Sequence, residues 1–244
     1  MTPPDDTAEA VLPQLQRAST CSLAIPAYLE RVYWWAYVHP HAVRVFEREW
    51  LVNLILFGNY GQLRDAALVE LGATVRGSTL QLACAYGDLT PRLRLRLAPD
   101  ARLDVIDILP IQLANLGRKL PPDERITLVQ GNSSSLECPD ASYDQVLLFF
   151  LLHEQPDGVR RGTLAEAMRV VKPGGKIVIV DYHRPAFLHP LRLLMSSVFR
   201  RLEPYARDLW EREVEDFLPS GVRPACISKQ LYYSGLYQKL VLIR

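Results

Sequence analysis

Only four cysteines occur in the 244 residues, Cys21, Cys84, Cys138 and Cys226, and no two of them stand in a CxxC spacing. That pattern excludes a disulfide framework and a zinc ribbon, and reduced thiols in a cytoplasmic protein are expected. Charge of one sign is missing as well, because 28 Lys and Arg face 27 Asp and Glu and leave a formal net charge of +1. Such a balance gives no global attraction toward a polyanion, so nucleic acid is not the expected partner. Long apolar runs are absent too. The longest stretches, Trp50–Phe57 and Val146–Leu152, fall well short of the ~20 residues that span a bilayer. Residues 1–10 are acidic and polar, unlike the basic start and apolar core of a signal peptide. Internal repeats and low-complexity segments are also lacking.

What is present is the composition of an ordinary globular chain, with 49% hydrophobic and 23% charged residues. The length suits one sizeable domain with a cap and is short for two. Residues 1–25, with Pro3, Pro4 and Pro13, read as a mobile lead-in. Residues 26–76 read as a helical cap rich in aromatics, among them Tyr33, Trp34, Trp35, Tyr37, Phe46 and Trp50. From Gly77 onward, short apolar runs alternate with helical segments, which is the pattern of βαβ units and a parallel sheet.

Five strands are expected in this second region, 77–244, at Thr79–Cys84, Arg102–Asp107, Ile126–Gln130, Tyr143–Phe150 and Lys176–Asp181. Asp88 and Asp157 are placed to cap the helices that follow the first and fourth strands. A helical insertion covers about 186–217. The end of the chain reads as a hairpin turning at Ser234-Gly235. The expected fold is therefore α/β: a doubly wound, mostly parallel, seven-stranded sheet with an antiparallel C-terminal hairpin.

In such sheets ligands bind beyond the carboxyl ends of the strands. The small-residue turn after the first strand, Ala85-Tyr86-Gly87, lets a nucleoside approach the backbone, and Asp107 ends the second strand twenty positions later. Asp107 can accept the two ribose hydroxyls, or it can cap the helix that begins near Pro110.

Two segments make the pattern specific. Ile126–Asp144 (ITLVQGNSSSLECPDASYD) and Glu166–Asp181 (EAMRVVKPGGKIVIVD) resemble the third-to-fifth-strand region of the ubiquinone and menaquinone C-methyltransferases, which use S-adenosylmethionine (SAM). The resemblance implies the class I, Rossmann-like methyltransferase fold, with Asn132 and Ser133 against adenine. It also implies a SAM-binding set of Gln81, Ala83, Ala85, Tyr86, Gly87, Asp107, Ile108, Asn132, Ser133 and Phe149. The chain departs from the family's DxGxGxG motif, reading Gln81, Ala83, Ala85 and Gly87, with the bulky Tyr86 where a small residue is usual.

This altered motif, QLACAYGDLTPRL, resembles the rhodoquinone-biosynthesis proteins of bacteria. So do LDVIDILPIQL, VLLFFLLHEQP, VDYHRPAFLHPL and YVHPHAVRVFEREWLVNLILFGNY. That resemblance implies conversion of ubiquinone to rhodoquinone, a ring methoxy group being replaced by an amino group, with SAM as apparent nitrogen source and Mn²⁺ in support.

His153 and Glu154 follow the fourth strand, and Asp181, Tyr182 and His183 end the fifth. On neighbouring strands these groups are expected to converge. Imidazole and carboxylate suit a first-row divalent metal, so His153, Glu154, Asp181 and His183 are candidate Mn²⁺ ligands. Tyr86, His153, Asp181 and His183 are the candidate catalytic residues, a His or Asp removing a proton. For His153 and Asp181 the alternative is simple capping of the strand ends. His39 and His41 are expected to be structural or substrate-lining, and His189 structural.

The insertion carries Phe187, Leu188, Leu193 and Leu194 interleaved with Arg192, Arg200 and Arg201, a composition that suits contact with anionic lipid. Peripheral attachment to the inner face of the bacterial cytoplasmic membrane follows for a ubiquinone substrate. Two rivals stand beside this reading: a conventional SAM-dependent methyltransferase acting on a quinone or lipid-soluble phenol, and a silent scaffold subunit of a quinone-synthesis complex.

Overall fold

The computed structural model describes residues 23–244, so Cys21 and nearly all of the lead-in lie outside the described residues. Seven strands form one sheet in the order β3-β2-β1-β4-β5-β7-β6. They are β1 (Ser78–Leu82), β2 (Arg102–Asp107), β3 (Ile126–Gln130), β4 (Tyr143–Phe149), β5 (Val171–Tyr182), β6 (Cys226–Tyr232) and β7 (Tyr237–Ile243). The first five run parallel, whereas β7 pairs antiparallel with β5, and β6 with β7. The expected doubly wound, mostly parallel sheet is present, and its order reverses between β1 and β4.

Side chains alternate across the sheet with period two, so each strand feeds two cores. Leu103, Val105, Leu147, Val178 and Val180 face one core, with α4 (Tyr60–Leu71) and α5 (Leu89–Arg94). Leu80, Leu82, Val146, Ile177 and Ile179 face the other, with α7 (Asp157–Val170). The near-continuous apolar reading of β4 and β5 follows from burial on both faces. α6 (Pro110–Lys119) flanks β2 and β3 and starts with Pro110 in its first turn, where a missing N–H costs nothing.

The cap is built from α1 (Ala27–Val32), a π-turn over Trp34–Val38, α2 (Pro40–Phe46) and α3 (Glu49–Ile55). Phe57 and Gly58, both with positive φ, separate α3 from α4. The insertion contains α8 (Arg192–Arg201), α9 (Asp208–Glu211) and a 3-10 turn at Val214–Phe217.

Four local expectations need correction. β1 stops at Leu82 because Ala83 turns to φ 68° and leaves the strand. β5 starts at Val171, earlier than expected, the Pro173-Gly174-Gly175 turn being absorbed as an irregularity in its pairing with β4. The hairpin turns through Tyr233–Leu236, with Tyr233, Ser234 and Gly235 all at positive φ, so it is longer than two residues. Asp88 and Asp157 make no capping bond: Asp88 receives Arg64, and Asp157 is already helical and pairs with Arg161 and Arg212.

Candidate functional site

A cavity of about 360 Å³ opens beyond the carboxyl ends of β1, β2 and β4, roofed by the cap on one side and α8 on the other. The strand order reverses at this point, which is where a doubly wound sheet leaves a crevice. Ala83, Ala85, Tyr86, Asp107, Ile108, Asn132, Ser133 and Phe149 all line it.

The loop after β1 is shaped by what passes behind it. The Ala83 amide donates to the Ile106 carbonyl at 2.8 Å, which fixes the left-handed turn. Gly87 sits at φ 81°, and a Cβ there would collide with the Tyr60 hydroxyl. That hydroxyl accepts from the Asp88 and Leu89 amides at 2.8 and 3.2 Å, so it does the capping expected of Asp88. Asp107 is buried, accepting from the Cys84 amide at 2.7 Å and the Leu109 amide at 2.8 Å. Burial pushes its carboxyl up to about 6, against the pull of those amides. Both sequence readings thus meet in one residue: Asp107 holds the turn before α6 and also faces the cavity.

Gln81 does not line the cavity. It is fully buried behind the loop, accepting from Thr90 Oγ1 and donating to the Ala83 carbonyl, each at 3.0 Å. Strand parity explains this, since Gln81 points into the sheet's α4 and α5 face. The expected contact with a ligand is corrected to support of the loop.

Tyr86 is held by the cap. Its hydroxyl donates to the Ala36 carbonyl and accepts from Gln112 Nε2, both at 2.7 Å. Its ring stacks on Tyr37 and Phe46, with centroids 5.6 and 6.2 Å away. Glu47 completes the junction, accepting from the Gly87 amide at 3.2 Å and pairing with Lys119 at 2.6 Å. Asn132 braces its own turn by accepting from the Ser134 amide and hydroxyl. Ser133 accepts from Gln155 Nε2 at 3.0 Å.

At the other end of the cavity the chain after β4 makes a short 3-10 turn, Leu152–Glu154. His153 Nδ1 lies 2.9 Å from Asp181 Oδ1, and Asp181 also accepts from the Leu152 and Tyr182 amides at 2.8 Å. Burial disfavours the charged imidazole, but the adjacent Asp181 outweighs it and carries His153 up to about 9. Glu154 Oε1 is 3.8 Å from His153 Nε2, and burial pushes its carboxyl up to about 8. His153, Glu154 and Asp181 therefore do converge.

His183 does not join them. Its amide donates to the Leu236 carbonyl, its Nδ1 sits 3.0 Å from the Gly235 carbonyl, and its Nε2 faces Glu213 at 3.7 Å. The strand ends one residue earlier, and His183 is held against the turn of the hairpin. Among the described residues no group of three or more His, Cys, Asp or Glu has an arrangement that could hold a metal ion. The proposed four-ligand set is corrected on that geometry, since Asp181 also spends its lone pairs on three amides and the imidazole. His39 accepts from the His41 amide, and His189 Nε2 lies 3.1 Å from the Tyr233 carbonyl, both away from the cavity lining.

Four cavity-side or junction residues carry no sequence pattern: Glu47, Gln112, Gln155 and Glu203. Each comes from an irregular connection or a helix whose periodicity marks only its apolar face.

Residues 79–175 match the family model described as a methyltransferase domain. The demethylmenaquinone methyltransferase of Anoxybacillus flavithermus is 26% identical over 182 residues, 71% of this chain and 75% of its own length. That of Staphylococcus aureus is 27% identical over 167 residues, 68% of each chain. Among solved structures, human N-acetylserotonin methyltransferase in complex with SAM superposes with a TM-score of 0.61 at 17% identity, covering 90% of this chain and 60% of that one. A putative SAM-dependent methyltransferase from Methanococcus maripaludis gives 0.56 at 17%, covering 92% and 97%. The fold is that of the class I SAM-dependent methyltransferases, and residues 79–175 are similar to a methyltransferase domain.

Proposed function

We propose that the protein transfers a methyl group from SAM to a lipophilic, quinone-type ring. The reading is carried by one observation: a buried His153–Asp181 pair stands at one end of a cavity rich in aromatic and aliphatic residues, whose far wall has the features of a nucleoside site. The residues present fit SAM. Asp107 keeps free lone pairs toward the cavity for ribose hydroxyls. Asn132, Ser133 and Gln155 surround the place for adenine, and the Ala83–Gly87 loop lets a ligand approach its backbone. SAM supplies a methyl group on a positively charged sulfur, so the protein has only to align the acceptor, exclude water and remove a proton.

Asp181 holds the proton on His153 Nδ1 and leaves Nε2 to accept one from the acceptor's hydroxyl or ring carbon. His153 must be neutral to do so. Since its proton is held up to about pH 9, transfer should rise about tenfold per pH unit toward that value and then level. The test is single-turnover transfer of labelled methyl to a short-tailed hydroxylated naphthalene. His153→Asn should lower the rate by roughly 10²–10⁴ and abolish the pH dependence, with S-adenosylhomocysteine affinity unchanged. A flat wild-type profile with an unimpaired variant would refute the role.

A second reading, replacement of a ubiquinone methoxy group by an amino group, is favoured by Tyr86. Locked between Tyr37 and Phe46, this ring gives the loop after β1 a different neighbour from the small residues of the glycine-rich motif. The residues described do not fit a Mn²⁺ site, so no step is routed through a metal. Mass spectrometry after incubation with ubiquinone and SAM labelled with ¹⁵N at its amino group separates the readings. A labelled aminoquinone establishes the second, and a methylated ring the first. In either case the acceptor is a membrane-soluble ring, and peripheral contact with the inner face of the cytoplasmic membrane belongs to the same proposal.

A further inference from the structure

Most polar groups lining the cavity are already paired, including Asp107, Tyr60, Tyr86, Gln112 and His153. Three lining atoms are sealed from water and have no partner among the described residues: Tyr33 Oη, Glu203 Oε2 and Gln155 Oε1. A buried polar atom left unpaired costs free energy, so each calls for a ligand or a reason. Gln155 is tied through its amide nitrogen to Ser133 and belongs to the nucleoside end. Tyr33 and Glu203 lie at the acceptor end. Tyr33 closes α1 and is 1% exposed, and Glu203 follows α8, whose next segment packs on α1 through Tyr205 and Tyr28.

The Tyr33 hydroxyl sits in the field of Glu203. The Tyr33 hydroxyl is driven up by burial and then by Glu154 and Glu203, and Glu203 is driven up by burial with His153 opposing. A phenol and a carboxyl in one apolar wall make a strong charge-assisted bond when they meet. They make no hydrogen bond with each other, so the cavity wall carries an unpaired donor and an unpaired acceptor, with Phe150, Leu202 and Tyr182 among the apolar lining.

We propose that Tyr33 and Glu203 form the specificity pair that receives the acceptor's ring hydroxyl, Tyr33 donating to its oxygen and Glu203 accepting its proton. A hydroxyl satisfies both sides at once, whereas a methyl group satisfies neither. The pair would also set the ring's orientation, presenting its reactive carbon toward the nucleoside end and the proton on that carbon toward His153. This inference rests on the cavity being the acceptor pocket of a SAM enzyme.

The experiment compares 2-naphthol with its near-isostere 2-methylnaphthalene by quenching of the intrinsic fluorescence, with and without saturating S-adenosylhomocysteine. The wild-type protein should prefer 2-naphthol by about tenfold, although it is the less hydrophobic ligand. Glu203→Gln and Tyr33→Phe should each erase most of that preference while leaving 2-methylnaphthalene and S-adenosylhomocysteine affinities within about twofold. Loss of both naphthalenes in parallel, or a preference that survives both variants, would overturn the pair and leave only a bound water between the two groups. If S-adenosylhomocysteine fails to bind while the naphthol preference behaves as expected, the SAM reading falls and the specificity pair stands.

Discussion

Gln81 stands where an acid is usual, and the structure gives it work an acid could not do. Its amide nitrogen donates to the Ala83 carbonyl, and its oxygen accepts from Thr90. A carboxylate in the same place would keep the Thr90 bond but face the Ala83 carbonyl with no proton to give. It would also be fully buried, where an ionised group without a partner is costly. Gln81→Glu should therefore destabilise the fold by about 1–3 kcal/mol and loosen the loop after β1. Chemical denaturation measures the first effect, and S-adenosylhomocysteine affinity should fall with it. An undiminished midpoint would show that the loop's shape does not depend on this amide. Tyr86 belongs to the same rewiring, because its hydroxyl and ring face the cap, so its bulk is absorbed by Tyr37, Phe46 and Gln112.

The cap is joined to the sheet region by few polar contacts, divided between that loop and α6. Tyr86 reaches Ala36 and Gly87 reaches Glu47, while Gln112 reaches Tyr37, and Asn115 and Lys119 reach Glu47. Tyr86→Phe keeps the stacking and removes the hydroxyl, leaving the Ala36 carbonyl and Gln112 Nε2 without that partner. The expected cost is about 1–3 kcal/mol, read as faster hydrogen exchange over residues 27–46 with the sheet unaffected. Exchange that rises equally in the strands would mean the junction is not where the cap opens. Of all this, the sheet was the legible part. Strands 102–107 and 126–130 carry runs whose ends coincide with the observed bounds, although 126–130 is a half-buried edge strand. The cap's π-turn, the left-handed Ala83 and the long hairpin turn leave no periodic trace. Convergence of His153 with Asp181 was readable from two adjacent strand ends. Exclusion of His183 was not, since one residue decides whether a side chain stays on the strand or turns with the chain. Glu47 and Glu203 come from connections, where spacing carries no signal.

The cavity's two roofs end in apolar residues that none of the described residues covers. Beside α8, Phe187, Leu188 and Leu193 are 82, 88 and 85% exposed, and beside the cap Trp50 and Leu54 are 61 and 63% exposed. α3 also sends Val52, Ile55 and Leu56 into the cavity, and α8 sends Val198. Arg184, Arg200 and Arg201 are exposed in the same region, and Arg192 lies 5.2 Å over the Phe187 ring. No helix among the described residues is long and apolar enough to cross a membrane. Under the proposed peripheral contact, this apolar and basic surface is the one that would lie on a bilayer. With a net charge of only +1 the attraction must be local, and about 1 kcal/mol per arginine near an anionic surface is the scale available. Replacing Phe187, Leu188 and Leu193 together by Ser should cut co-sedimentation with phosphatidylglycerol vesicles by tenfold or more, because each side chain forfeits part of the roughly 1.5–3 kcal/mol its burial supplies. Turnover of a short-tailed, water-soluble acceptor should be unchanged, since none of the three lines the cavity. High salt should weaken wild-type binding without abolishing it, separating the arginine contribution from the apolar one. Binding that survives the triple substitution, or that is equal on neutral and anionic vesicles, would place the acceptor's route elsewhere on the molecule.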